Sequence, residues 1–287
     1  MTNPAENMTV DQAFHKAYHL QQAGELQQAE LLYNQILQAQ PQYHMAWYQL
    51  GLMAVDVGKM DIAAQMISKA SECRPVEFAY HRALTEIYRR LKDLDKALHH
   101  GRQATRHGDN DVDSFYNYGL ALADALKFDE AIEAYKKAVS LNPQYGLAWN
   151  NLGSAYENIE DLDAAFEAYK KATEINPLHA EAQHNLGALY NQRGEEKAAI
   201  ECYLKAIEAN PIFVYAHQSL STLKKYAPDD PHLKMLENLA SQIHQFDHEM
   251  QTKYWFALGK ARADIGKHKE AMEAYGTANK LKKIRRF

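Results

Sequence analysis

Cysteine is scarce in this chain of 287 residues: Cys73 and Cys202 are the only two. They form no CxxC pair and no disulfide framework, so a reducing compartment is expected. An excess of positive charge is also missing. The 32 Lys and Arg against 37 Asp and Glu give a formal net charge of −5. A dedicated nucleic-acid binder needs basic surface to displace counterions, so that class is disfavoured. No stretch approaches the ~18 consecutive apolar residues of a membrane span. The opening "MTNPAENMTV" has neither the basic start nor the apolar run of a signal peptide. These absences predict a soluble, cytoplasmic protein with no membrane or nucleic-acid partner.

Motifs that carry chemistry are missing too. There is no P-loop, no GxGxxG and no GxSxG. The 14 histidines are scattered. "HQFDH" places His244 and His248 four apart, as His15 and His19 are, a spacing that can bind a metal from one helix face. Neither pair has a third ligand in sight, so no metal, cofactor or catalytic residue is expected. The basic run "YRRLKDLDK" (88–96) is interleaved with acid and reads as a solvated face; the C-terminal "NKLKKIRRF" reads as a polar, basic cap.

What is present is a ruler of 34 residues. Starting units at Val10, His44, Phe78, Val112, Gly146, Ala180 and Val214 puts like residues in like places, and an eighth start fits at Thr252, four residues late. All three Trp (Trp47, Trp149, Trp255) fall at position 4. Gly51, Gly119, Gly153, Gly187 and Gly259 fall at position 8; Gly24, Gly58, Gly194 and Gly266 fall at position 15. Ala fills position 20 and position 27 in seven of eight units each, and Pro closes five units at position 32.

Each slot has a physical reason. Apolar residues at 4, 7, 8 and 11 make one stripe of a first helix, and 20, 24 and 27 one stripe of a second. Small residues at 8 and 20 let two helix backbones approach, whereas larger side chains would overpack by roughly 1–3 kcal/mol. Gly at 15 supplies a left-handed turn. Asp61, Asp95, Asp129 and Asp163 at position 18 complement the dipole where the second helix begins. Tyr33, Tyr135, Tyr169, Tyr203 and Tyr275, all at position 24, are expected in the core.

These residues resemble the tetratricopeptide repeat, over about residues 10–284. The resemblance implies an all-α, right-handed α-solenoid of about eight helix–turn–helix units. The expected organisation is a flexible tail at 1–9, a regular array at 10–227, an irregular helical join at 228–251, and a terminal repeat with a basic capping end at 252–287. Unit three departs from the pattern with His81, Thr85 and Gly101, and unit seven with "KYAPDDPHLKML".

In tetratricopeptide proteins the first helices line a groove, and positions 2, 5, 6, 9, 12 and 13 tend to face the ligand. Position 6 holds Asn117, Asn151 and Asn185 in three successive units, similar to the asparagine ladder of O-linked N-acetylglucosamine transferases. An Asn amide offers an acceptor and two donors, which suits a peptide bond of any sequence. Neighbouring groove candidates are Asn150, Asp124, Asn158, His184, Gln192, Tyr116 and Glu157. Six amide hydrogen bonds supply roughly 3–9 kcal/mol, against an association cost of ~4–15 kcal/mol. Side-chain pockets such as one near Tyr116 and Leu120 must add the rest.

The chaperone carboxylate clamp is not expected, because position 5 carries no Lys. Function is therefore expected to be non-catalytic: a scaffold binding an extended peptide or partner protein, of unknown oligomeric state. An alternative comes from residues 226–283, where "FALGKA" and "YGTANKLKK" resemble the region preceding bacterial sulfotransferase domains. That likeness implies the substrate-presenting part of a sulfotransferase, or of an O-GlcNAc-transferase-like enzyme, whose catalytic domain is absent from this chain. No phosphosulfate loop of the "PRSGTT" kind is present.

Overall fold

The computed structural model describes residues 8–284, and among them every regular element is helical. The expected tail at 1–9 thus lies mostly outside the described residues, as do residues 285–287 of the basic cap. The chain divides into two compact units at Pro143 and Gln144. The first contains the hairpins α1 (Val10–Gln22)/α2 (Leu26–Ala39), α3 (His44–Asp56)/α4 (Met60–Cys73), α5 (Phe78–Arg90)/α6 (Leu94–His107) and α7 (Val112–Asp124)/α8 (Phe128–Leu141). The second contains the hairpins α9 (Gly146–Asn158)/α10 (Leu162–Ile175), α11 (Ala180–Gln192)/α12 (Glu196–Ala209) and α15 (His248–Asp264)/α16 (His268–Ile284), and between the last two α13 (Val214–Leu223) and α14 (Pro231–Leu239), which both pack on α15. Within each unit a hairpin packs on the next, which makes each an α-solenoid of helix–turn–helix repeats.

The 34-residue ruler locates the elements. Seven first helices begin at the seven unit starts read from the sequence. The eighth, α15, begins four residues before Thr252 and runs for 17 residues instead of 13. Position 20 is sealed in every unit described by Ala: Ala29, Ala63, Ala97, Ala131, Ala165 and Ala199 are fully buried, and Ala271 nearly so.

Position 8 is a glycine because position 24 lies on top of it. A Cβ on Gly153 would sit 2.7 Å from two ring carbons of Tyr169; on Gly119 it would sit 2.5 Å from Tyr135, and on Gly187 2.8 Å from Tyr203. Unit three inverts this arrangement. Thr85 stands at position 8 and is fully buried, with its hydroxyl donating to the His81 carbonyl at 2.8 Å. Gly101 stands at position 24, and the ring of Tyr118 from the following repeat fills the space where its Cβ would be. Gly101 thus makes room for Tyr118, and Thr85 stands where no position-24 side chain lies above it.

His81, the third departure, stands in for tryptophan. At position 4 the indole of Trp47 donates to the Pro41 carbonyl at 2.8 Å. His81 Nε2 makes the same bond to the Pro75 carbonyl at 2.8 Å, Gln183 to Pro177 at 3.0 Å, and His217 to Pro211 at 2.9 Å. Three side-chain types thus satisfy one helix-terminal carbonyl, six residues back. Where a proline closes the preceding unit, these side chains supply an N–H donor of the right reach; Phe115, which follows Asp109, has none.

Every described hairpin of regular form closes with position 15 at positive φ: Gly24, Gly58, Gly194 and Gly266, but also Lys92, Leu126 and Glu160. The turns share the same bonds, as in Lys127 N–H to the Leu122 carbonyl (2.9 Å) and Leu126 N–H to the Ala123 carbonyl (2.9 Å). A left-handed non-glycine costs about 1–2 kcal/mol, part of which glycine loses again to chain entropy. Leu126 is 74% exposed, so little packing is at stake. Leu126→Gly should therefore stabilise the protein by about 0.5–1 kcal/mol, read as a higher urea midpoint; a lower midpoint would contradict the strain.

The irregular join is pinned rather than loose. After α13 ends at Leu223 the chain passes through a turn at Pro228 and Asp229, closed by the Asp230 N–H on the Ala227 carbonyl at 3.1 Å, to Asp230, which caps α14 by accepting from the His232 N–H at 2.9 Å. The Tyr226 N–H donates to Asp264 of α15 at 3.0 Å, and Lys260 donates both to Asp264 (2.5 Å) and to the Lys224 carbonyl. Inside, the Tyr226 hydroxyl lies 2.7 Å from His232 Nδ1, and His232 Nε2 lies 2.8 Å from His217 Nδ1. Both imidazoles are buried.

Candidate functional site

The groove candidates sit on first helices, and each unit arranges them differently. In the C-terminal unit they bond to one another. Asn185 on α11 donates to Asn150 on α9 at 3.4 Å, and Asn150 donates to Asn151 at 3.4 Å. His184 lies 3.1 Å from the Ser219 hydroxyl of α13 and packs edge-on against Phe213, with ring centroids 5.6 Å apart. Polar side chains thus tie α9 to α11 and α11 to α13. Asn150 is 6% exposed, so its amide is spent inside this network. Burial, against opposing pulls from Asn185 and Glu157, lowers the pKa of His184 and keeps it neutral.

The outer candidates are partly occupied. Glu157 accepts from the Tyr169 hydroxyl at 2.8 Å, a contact from position 24 to position 12 that Tyr33 repeats with Gln21 at 2.8 Å. Asn158 donates to its own helix, at the Ser154 carbonyl. Gln192 is exposed at the end of α11.

The N-terminal unit holds Tyr116, Asn117 and Asp124, all on α7. Tyr116 packs beside Tyr135, centroids 6.2 Å apart. Asp124 accepts from Arg89 of α5 at 3.1 Å. Asn117, half-buried, has no hydrogen-bond partner among the described residues, and it lines a cavity of about 220 Å³. Leu52, Val55, Met60 and Ile87 supply apolar wall; Arg82, Glu86 and Arg90 supply charge. Counted along the ruler, Leu52, Arg82, Glu86, Arg90 and Asn117 occupy positions 9, 5, 9, 13 and 6, all slots that the resemblance expects to face a ligand.

This cavity was hidden in the sequence by the run at 88–96, which reads as solvated. Arg89 is instead held by Glu86 at 2.9 Å as well as by Asp124, and Arg90 reaches Glu86 at 2.6 Å. The signal that could have revealed it is the coincidence of Arg82, Glu86 and Arg90 on one helix face at i, i+4 and i+8. The histidine pairs fare differently. His244 belongs to a one-turn 3₁₀ helix, Ile243–Gln245, and His248 opens α15 after a break at Phe246, so the two do not share a helix face. His15 and His19 do share α1 and are both exposed. No group of three metal-ligating side chains occurs among the described residues, and no helix there is long and apolar enough to cross a membrane.

The fold and these first-helix faces define a helical-hairpin repeat protein. More particularly, the chain carries tetratricopeptide repeats: residues 116–177, 180–213 and 252–284 each match a family model of that description. Residues 6–101 match one described as ChAPs, Chs5p-Arf1p-binding proteins. Among curated relatives, the Tetratricopeptide repeat-containing protein trd-1 of Caenorhabditis elegans is 26% identical over 47% of this chain and 17% of its own length. Superkiller complex protein 3 of Mus musculus is 37% identical over 24% of this chain and 4% of its own. The chain thus spans less than a fifth of either relative. Solved structures of similar fold include PilW, a type IV pilus biogenesis factor (TM-score 0.61, 18% identity, 76% of this chain and 99% of PilW). PilF of Pseudomonas aeruginosa is another (0.59, 20%, 70% and 89%). YrrB, described as a TPR protein with an unusual peptide-binding site, is a third (0.55, 23%, 64% and 95%). At these identities the likeness concerns the fold.

Proposed function

We propose that this protein is a non-catalytic interaction scaffold whose first-helix faces bind an extended peptide or an extended segment of a partner protein. Tetratricopeptide-repeat proteins are generally protein-interaction scaffolds, and YrrB is described as having a peptide-binding site. The observation that carries the finer reading is Asn117: an amide with no partner, at the edge of a side-chain-sized apolar cavity, on ligand-facing positions of adjacent repeats. An extended chain alternates backbone amide and side chain, so an amide beside a pocket matches its repeat. The networked amides of Asn151 and Asn185 must exchange protein partners for peptide ones, which lowers their net contribution. Affinities near micromolar, about −8 kcal/mol, are therefore expected.

The test is selection of linear peptides, displayed at the amino terminus of a phage coat protein, on the immobilised full chain. Enrichment is expected. Replacing Asn117, Asn151 and Asn185 together by Ala should leave helicity intact and weaken the selected peptides at least tenfold. No enrichment, or undiminished binding by a folded triple variant, would rule the reading out.

A further inference from the structure

The cavity of the N-terminal unit has a chemical bias that the peptide-backbone reading leaves open. Its size, about 220 Å³, is below the roughly 300–1,000 Å³ of small-molecule sites and suits a single side chain. The floor is aliphatic, from Leu52, Val55 and Met60 to Ile87. Glu86 is the acid among the lining residues, and both its oxygens are already taken. Oε1 accepts from Arg90 Nε (2.6 Å) and from an Arg89 terminal nitrogen (3.2 Å), and Oε2 accepts from Arg89 Nε (2.9 Å). Burial alone would raise this carboxyl, but the two guanidiniums outweigh it and hold it below the usual range. Glu86 therefore stays ionised, with three of its roughly four acceptor positions filled.

The donors on the same rim are not saturated. Arg90 is engaged only through Nε, so both terminal nitrogens, carrying four N–H groups, have no partner among the described residues. Arg82 uses one terminal nitrogen, on Asp111 at 3.0 Å with Asp113 at 3.6 Å, and leaves its other terminal nitrogen and Nε unused. The Asn117 amide adds two more donors. The rim thus presents unused donors in excess of unused acceptors, and a guanidinium edge meets a carboxylate bidentately.

We infer that this pocket takes an aliphatic side chain, Leu, Ile or Met, from a peptide that carries an Asp or Glu side chain within two residues of it. The aliphatic group enters between α3 and α5, and the acid lies on Arg90, with Arg82 and Asn117 beside it. This inference rests on the scaffold reading above but is separable from it. An extended peptide advances about 3.3 Å per residue, so an acid one or two residues away stays within the reach of a long arginine. A basic residue there would face two guanidiniums with few open acceptors, which makes the site discriminating as well as attractive.

The experiment uses the peptides enriched by the full chain in the display selection, where no peptide has a free carboxyl end. They should share an aliphatic residue with Asp or Glu within two positions. One is then synthesised, acetylated and amidated, as the parent, with the anchor changed to Ala, and with the acid changed to Gln or to Lys. On the unaltered chain the Ala and Gln peptides should bind at least fivefold more weakly, and the Lys peptide more weakly still. On the Arg90→Gln chain, parent and Gln peptides should bind alike, while Arg106→Gln, an exposed change on α6, should leave the preference intact. Enriched peptides that bind equally whatever stands at the acid position would overturn the inference and leave the scaffold reading standing. Absence of any enriched peptide would remove both. Recovery of the Gln peptide by a free C-terminal carboxylate, in place of the amide, would show the wrong source of the acid and overturn the assignment to a side chain.

Discussion

Gly153→Leu is expected to cost about 3 kcal/mol or more, the upper range for overpacking a core. The damage begins at Cβ, before the rest of the side chain is placed. That atom would stand 2.7 Å from Cδ1 and Cε1 of Tyr169, a ring 1% exposed whose hydroxyl is bonded to Glu157 at 2.8 Å. Either the ring leaves its slot or α9 separates from α10. Urea unfolding followed by circular dichroism measures the loss. Unit three supplies the precedent, because there Thr85 stands at position 8 with a glycine, Gly101, at position 24. Tyr169→Gly should itself be destabilising, but adding Gly153→Thr to it should cost little further. The coupling between the two sites should therefore reach about 1–3 kcal/mol. Additive effects would mean that position 8 is glycine for some reason other than the ring above it.

The second large effect is loss of stability in mild acid, centred on His217 and His232. Their hydrogen bonds leave one neutral arrangement: Tyr226 donates its hydroxyl proton to His232 Nδ1, His232 Nε2–H donates to His217 Nδ1, and His217 Nε2–H donates to the Pro211 carbonyl. Every ring nitrogen is used, and an added proton has no lone pair to occupy without breaking a bond. Burial first, then the neighbouring His217 and Lys224, push His232 down to about 3 against a weaker upward pull from Asp230; burial also lowers His217. An imidazole depressed in the folded state contributes no penalty above its unfolded pKa near 6.5. Below that the unfolded chain binds the proton and the folded one does not, so stability falls continuously from about pH 6.5 down towards pH 3. At 1.36 kcal/mol per pH unit, His232 alone costs about 2 kcal/mol at pH 5.

His217→Gln isolates the effect. Gln183 shows that glutamine can make the position-4 bond, reaching the Pro177 carbonyl at 3.0 Å. Its side-chain oxygen can still accept from His232, yet it does not titrate. The variant should lose less stability than the unaltered chain between pH 7.5 and 5.0, read from urea midpoints at each pH. Equal losses would mean that the chain of imidazoles is not what makes the protein acid-labile.

The helices were legible because their spacing is carried by residues with local consequences. Gly24 and Gly58 mark left-handed turns, and Ala63 or Ala165 marks a backbone contact, without reference to anything distant. Lys92, Leu126 and Glu160 adopt the same turn with no such mark, because stacking of the hairpins on both sides outweighs the local preference. The division at Pro143 was not legible either, since the ruler runs across it unchanged. The candidate site was legible in position but not in state. Asn117, Asn150 and Asn185 fall, by counting alone, on slots expected to face a ligand. Whether an amide there is unengaged, as at 117, or consumed, as at 150, depends on what the next repeat sets opposite it.

The amino-acid order by itself thus determined the kind of protein this is and where seven of the eight first helices start, because a 34-residue spacing of small residues acts through short-range sterics. Only the tertiary structure decided that Tyr118 of the next repeat fills the space at Gly101, that His81 and His217 replace an indole donor, and that Arg82, Arg90 and Asn117 converge on one cavity. Those facts join residues of neighbouring repeats, and no single repeat contains them.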